Sequence, residues 1–281
     1  MRVGLIGAGL LGSALAERFS GAGFRVRAFD TSPERMAELA AMGVEQAATA
    51  RETAAFGEIV VLCLPDSRIA SAVLSDVAGS LSEDAIVVDT TTGEPAQMEE
   101  MGRRVKHYLD ATIAGSSQQV RQCEAIAMVG GSAEDYEQCG ALFSAISSRS
   151  FHVGEHGAGA RMKLVVNLVL GLNRAALAEG LVFAESMGID LRMALDVLRS
   201  GPANSVALER KGEKMLHRDW TPEARLRQHH KDVRLILAEA ERNGLALPLS
   251  TVHDKLLSAA EDAGFADADN SAVLEAFRKR G

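Results

Sequence analysis

Short apolar runs punctuated by Gly, Pro, Asp and Thr fill the first half of the chain, and the rhythm changes near Ala160. RVGLI, EIVVLCLP, DAIVVD, HYLDA and EAIAMVGG are dominated by Val, Ile, Leu, Ala and Met, mostly without polar alternation. Such runs predict strands covered on both faces, as in a parallel sheet between helix layers. A further strand ends at Asp30, and DSRIASAVL, PAQMEEMGRRV and SAEDYEQCGALF carry helical spacing between strands. Past Ala160, LVVNLVLGLNRAALAEGLVFAESMG keeps a helical period as far as Gly188, and a helix of that length predicts a passage between domains. DLRMALDVLRSG, ANSVALERKGEKML, PEARLRQHHKDVRLILAEAERNG, PLSTVHDKLLSAAEDAG and DNSAVLEAFRKR follow as further helices. The pattern predicts an α/β fold. An N-terminal Rossmann-like domain with a parallel sheet spans residues 1–160, and an all-helical C-terminal domain spans residues 161–281, beginning with the long interdomain helix.

The first strand runs directly into GAGLLG and then a helix. Gly7 permits the tight turn, Gly9 lets backbone approach a pyrophosphate, and Gly12 allows helix and strand to pack closely. Ala8, Leu10 and Leu11 complete this candidate cofactor loop, and the helix N-terminus offers N–H groups to an anion. Asp30 closes the second strand 18 residues after Gly12. A carboxylate there accepts from the adenosine ribose of NAD and repels the extra phosphate of NADP. Arg35 keeps NADP open, since an arginine near that point can also meet a phosphate. Ser32 and Pro33 read as the cap and first residue of the next helix. Leu64, Pro65 and Asp66, and the Thr90–Thr92 triplet, follow strand ends, where open α/β sheets collect ligands. The threonines read equally well as caps or turn formers.

Charge and composition narrow the field. The net charge of −8 argues against nucleic acid or an anionic membrane surface as partner. No uninterrupted apolar run approaches the ~20 residues that span a bilayer, and the first strand follows Met1 without room for a signal segment. Cys63, Cys123 and Cys139 lack CxxC spacing and read as reduced thiols, so a cytoplasmic setting is expected. No metal site is expected. His229 and His230 are adjacent, and glycines flank the i,i+4 pair His152 and His156.

Lys163 and Asn167 stand four apart on one face of the long helix, within an otherwise apolar stretch. Either both open into a cleft, or Asn167 turns inward to bond a neighbouring loop while Lys163 snorkels to solvent. His229, His230, Lys231 and Asp232 make a second polar cluster, and DATIAGSS packs small residues at the end of a strand.

The ordered series GLIGAGLLG, Leu64–Pro65–Asp66, DTTTGEP, DATIAGSS, GAGARMK, Lys163 with Asn167, and Lys231–Asp232 resembles the beta-hydroxyacid dehydrogenases across nearly the whole chain. This 3-hydroxyisobutyrate dehydrogenase-like family is related to 6-phosphogluconate dehydrogenase and to imine reductases. The resemblance implies an oxidoreductase that interconverts a small beta-hydroxy acid and its semialdehyde with NAD, or with NADP. It places the catalytic lysine on Lys163 and a substrate-holding asparagine on Asn167. It puts Ala114, Gly115, Ser116 and Ser117 around the substrate, Lys231 near substrate and cofactor, and Thr92 with Leu64 and Pro65 near the cofactor. It also implies a homodimer formed through the helical domain. DATIAGSS departs from the family's usual motif, roughly DAPVSGG: Thr112 stands for proline, Ala114 for serine and Ser116 for glycine. The missing serine would bind the substrate carboxylate, and a hydrogen bond to a charged group contributes about 1.5–3 kcal/mol. Backbone N–H groups near Gly115, or the hydroxyls of Ser116 and Ser117, could replace it; those serines could equally cap the following helix. An imine reductase, or a nucleotide-binding regulatory protein without turnover, remains the alternative.

Overall fold

Strands whose every residue is buried, such as IVVL and IVVD, need cover on both faces, and the first half of the chain supplies it. The computed structural model describes residues 1–278. Eight strands form one sheet: β1 (Arg2–Ile6), β2 (Arg25–Phe29), β3 (Glu45–Gln46), β4 (Ile59–Leu62), β5 (Ile86–Asp89), β6 (Tyr108–Ala114), β7 (Ile126–Gly130) and β8 (Arg149–Gly154). Their order is β3-β2-β1-β4-β5-β6-β7-β8. Alternate residues feed two cores: Val3, Leu5, Val61 and Val88 lie on one face, and Ile6, Val60, Leu62 and Val87 on the other.

The expected parallel sheet is found with one exception, since β7 runs antiparallel to β6. Only the eleven residues 115–125 connect them, and a parallel crossover needs about a dozen or more. Strand β8 lacks a buried run, and β3 is two residues long, so neither carries a clear apolar signal. The expected helix over SAEDYEQCGALF is two, Ala133–Gln138 and Gly140–Ile146, broken at Cys139.

Strand β6 outruns its parallel neighbour. Asp89 at the end of β5 pairs with Asp110, so the segment from Ala111 to Ala114 projects past the carboxyl edge of the parallel strands. Asp110 is fully buried, and its two carboxylate oxygens accept from the N–H groups of Gly157 and Ala160, each at 2.8 Å. Two residues further along the same strand, Thr112 Oγ1 donates to the carbonyl of Gly159 at 2.8 Å. These bonds cap the first turn of the long helix, which runs from Ala158 to Ser186 and so begins earlier than its apolar period implies. Burial pushes the Asp110 carboxyl up to about 6, against the pull of the N–H groups.

The chain divides into two units at Lys163/Leu164. From Leu164 onward the described residues are helical: the rest of Ala158–Ser186, then Leu191–Ser200, Val206–His217, Leu226–Arg242 and Pro248–Ala260. Leu177, Ala178 and Leu181 pack with Leu195, Leu208, Met215, Leu226, Val233 and Leu257. The fourth of these helices starts at Leu226 rather than near Pro222, because Asp269 holds the N–H groups of Glu223 and Ala224. The last expected helix is a 3-10 segment, Asn270–Ala276, and Lys279 and Arg280 of that expectation lie outside the described residues. The helix Ala158–Ser186 is long and apolar enough, by length and composition, to cross a membrane, although Asn167, Asn173 and Arg174 interrupt its apolar run. Part of it nevertheless lies in the helical core, and it buries Asn167 and Arg174.

Replacing Asp110 with Ala leaves two buried N–H groups without an acceptor, and unfolding stability should fall by about 2–4 kcal/mol. A folded value above the ordinary aspartate value means that protonation favours the fold. The group's contribution is therefore complete below about pH 4 and is lost as pH rises through about 6. Thermal melts should show a larger gap between wild type and variant at pH ~5 than at pH ~7; equal stability at both would contradict this role.

Candidate active site

The glycines of the first loop each meet the condition their position demands. Gly7 has φ +102, and a Cβ there would run into the Cys63 carbonyl. A Cβ on Gly12 would run into the carbonyl of Gly7. Gly9 differs, since a Cβ there would meet nothing within 4 Å. It is the N-cap of the helix Leu10–Gly21, and no side chain caps that first turn. Ala8 is buried, and Gly9 and Leu10 are exposed. Open backbone at an uncapped helix N-terminus fits a dinucleotide pyrophosphate.

Asp30 holds this loop and the next one together. Its carboxylate accepts from the N–H of Ala8 at 2.6 Å and the N–H of Ser32 at 2.8 Å. Ser32 caps the helix Pro33–Ala41, as its sequence implies. The Arg35 guanidinium is paired with Glu38 at 2.7 Å. At the end of β4, the N–H of Leu64 donates to Thr91 Oγ1 at 3.2 Å, and Pro65 is exposed beside it. Thr90 Oγ1 donates to the carbonyl of Leu62, and the N–H of Thr91 to Asp89 Oδ1. Thr90 and Thr91 thus brace the ends of β4 and β5, while Thr92 is half-buried at the next position. The glycine loop, Asp30, Leu64, Pro65, Thr92 and Ala114–Ser117 all follow the carboxyl ends of the strands in the run β2-β1-β4-β5-β6. That edge is the ligand side of such a sheet.

At the overhanging end of β6, Lys163 Nζ donates to the carbonyl of Ile113 at 2.6 Å, which fixes the ammonium beside Ala114. Gly115 turns the chain with φ +148. Ser116 caps the short helix Ser117–Arg121 in a reciprocal box: its hydroxyl accepts from the N–H of Gln119 and its own N–H donates to Gln119 Oε1. Ser117 is half-buried. In the helical unit, Asn167 is buried and its Nδ2 donates to Asp232 Oδ2 at 3.0 Å. Lys231 Nζ lies 3.5 Å from Asp232 Oδ1, and its side chain is about one third exposed.

Residues 2–154, more than half of the chain, match the family described as the NAD binding domain of 6-phosphogluconate dehydrogenase. Residues 157–277 match the one described as NAD-binding of NADP-dependent 3-hydroxyisobutyrate dehydrogenase. The chain belongs to the 3-hydroxyisobutyrate dehydrogenase-like family. Glyoxylate/succinic semialdehyde reductase 1 of Arabidopsis thaliana is 27% identical over 99% of each chain. L-Threonate dehydrogenase of Cupriavidus necator is 29% identical over 98% of this chain and 95% of its own. A crystal structure of 3-hydroxyisobutyrate dehydrogenase from Salmonella typhimurium superposes with a TM-score of 0.90 at 27% identity, covering 98% of this chain and 99% of that one.

As a member of this family the chain is an NAD(P)-binding oxidoreductase. Several of the residues that order its candidate site lie inside the motif series, which does not reveal their bracing roles. Asp232 orients Asn167, Thr91 supports Leu64, and Asp110 and Thr112 set the turn from which Lys163 projects. Asp89 is buried with Tyr108 Oη donating to it at 3.0 Å, and burial pushes its carboxyl up to about 6. No group of three or more His, Cys, Asp or Glu able to hold a metal occurs among the described residues.

Gly9 and Gly12 should separate folding from cofactor binding. Gly9→Ala has room and should leave the melting temperature within a degree or so while weakening nucleotide binding about tenfold or more. Gly12→Ala should lower stability itself by about 1–3 kcal/mol through overpacking. Thermal melts beside nucleotide titrations check both, and normal cofactor affinity in Gly9→Ala would remove the loop from the site.

Proposed function

We propose that this oxidoreductase interconverts a small hydroxy acid and the corresponding semialdehyde, with Lys163 as general acid and base and NAD as the preferred cofactor. The observation that carries the reading is the 2.6 Å bond from Lys163 Nζ to the Ile113 carbonyl, which holds an ammonium at the tip of β6 beside the candidate substrate loop. When bound, a nicotinamide cofactor supplies the hydride donor or acceptor. In the reducing direction Lys163 gives a proton to the carbonyl oxygen as that carbon gains hydride. In oxidation its neutral amine takes the hydroxyl proton as hydride leaves.

Asn167 presents an amide to the substrate. Its Nδ2 is committed to Asp232, so its Oδ1 is the group left to accept from a substrate hydroxyl. Lys231 adds a positive charge on the neighbouring helix. Gly115, Ser116 and Ser117 are the parts of the loop placed to meet a carboxylate; the Ser116 oxygen accepts from its own helix and its O–H remains a donor. The names of the relatives, a glyoxylate/succinic semialdehyde reductase and a threonate dehydrogenase among them, support acids of a few carbons as substrates. Retention of Lys163 favours alcohol–carbonyl chemistry over imine reduction.

Preference for NAD rests on Asp30. Its carboxylate is fixed at the end of β2 by two N–H groups, and Arg35, the nearby cation, is already paired with Glu38. A ribose phosphate would meet fixed negative charge there. Three cysteines without disulfides suit a cytoplasmic setting. A homodimer is supported by an exposed stripe on the long helix: Val165, Val169, Phe183 and Met187 are each more than half exposed, with exposed Ala176 and Gly180 between them. Spacings of three and four place them on one face.

The catalytic reading predicts nicotinamide turnover with hydroxy acids or semialdehydes and a loss of about a hundredfold or more in kcat for Lys163→Ala. Turnover of cyclic imines alone, indifferent to Lys163→Ala, would sink it. NADP binding tighter than NAD would overturn the argument from Asp30. For the assembly, sedimentation at micromolar concentration should give a dimer for the wild type and a monomer for Phe183→Glu. A wild-type monomer at every concentration would reject the stripe as an interface.

A further inference from the structure

The inward face of the helix Ala158–Ser186 carries Asn167, Gly171 and Arg174, four and then three residues apart. Asn167 is answered by Asp232. At Gly171 the backbone lies directly against two imidazoles: a Cβ there would come within 2.6 Å of His229 Nε2 and 2.7 Å of His253 Cε1. Those rings, from the helices Leu226–Arg242 and Pro248–Ala260, are tilted against each other with centroids 5.2 Å apart. His229 and Asp232 are three apart on their helix, so the imidazoles lie about one turn from the Asn167–Asp232 bond.

Arg174 completes the cluster. It is only 4% exposed, and its Nε and Nη1 have no hydrogen-bond partner among the described residues; the same holds for Nε2 of His253, which is 2% exposed. Burial lowers the guanidinium to about 10, so it stays charged at neutral pH. Burial, with the charges of Arg174 and His230, pushes His253 down to about 4, so that imidazole is neutral. The acid that acts on Arg174 is Asp269. That carboxylate already takes Lys211 at 3.0 Å, the Ser271 hydroxyl at 2.7 Å and the N–H groups of Glu223 and Ala224. A buried guanidinium thus shares one heavily used carboxylate and keeps unused donors. Water could fill the donors but would leave the charge; an anion answers both.

We propose that Arg174, with His253 and His229, forms a buried anion site in the helical unit that takes a carboxylate or a small inorganic anion. The site stands on these side chains alone and does not depend on the catalytic reading. Its occupant is a free anion that meets the guanidinium and imidazole donors.

Thermal unfolding of the full chain near neutral pH, with acetate, bromide or phosphate added at constant ionic strength, tests this directly. The wild-type melting temperature should climb saturably by several degrees, as for a ligand that binds only the folded state, and Arg174→Met should give a flat response. Equal slopes for the two proteins, or no response in either, would overturn the proposal. If Arg174→Met does not fold, Arg174→Lys keeps the charge and should need about tenfold more anion for the same rise. Crystals soaked in bromide give an independent reading: an anomalous peak within hydrogen-bond reach of Arg174 is expected, and none at saturating bromide refutes the site.

Discussion

A buried carboxylate decides where the long helix begins. Asp110 sits on a central strand and accepts the N–H groups of Gly157 and Ala160, while Thr112 ties the Gly159 carbonyl to the same strand. These bonds fix both the height and the rotation of the first turn. Lys163 projects one turn later, and its ammonium reaches the Ile113 carbonyl because that rotation is fixed. A helix start capped only by local residues would leave the lysine's direction to a fraying end. Here a strand supplies the cap, so the position of the ammonium inherits the rigidity of the sheet.

The same economy appears at the cofactor edge. Asp30 contributes negative charge near the second strand's end, yet it also pins the loop through Ala8 and the following turn through Ser32. Thr90, Thr91 and Asp89 brace the neighbouring strand ends from within. Asp89, Thr90 and Thr91 are buried and Asp30 partly so, and Gly9, whose surroundings are open, lies outside that network. Rigidity below and open backbone above are what an anion-binding loop requires.

The two-part fold and the glycine loop were legible because their signals are local. Buried strands announce themselves as apolar runs, and Gly7, Gly9 and Gly12 are tied to one turn. Lys163 and Asn167 stood out as polar residues at helical spacing in an apolar stretch. What stayed hidden was everything fixed by distant partners. Asp110 caps a helix 47 residues ahead, so EHGAGA carries no cap of its own and the helix looks shorter than it is. The reversal of β7 follows from the length of a connection, not from the strand's composition. Asp232 is marked only by its place beside a lysine, and its bond to Asn167 spans 65 residues.

Thr112, Ala114 and Ser116, where this loop leaves the usual pattern of its family, read differently once their partners are known. The Thr112 hydroxyl donates to the long helix, whereas the Ser116 hydroxyl accepts from its own short helix and keeps its proton to donate. Ala114 brings only a methyl group, at the place where the Ile113 carbonyl already engages Lys163. A carboxylate held at this loop would therefore rely on backbone around Gly115, on Ser116 or Ser117 and on the lysine's charge rather than on a hydroxyl at position 114.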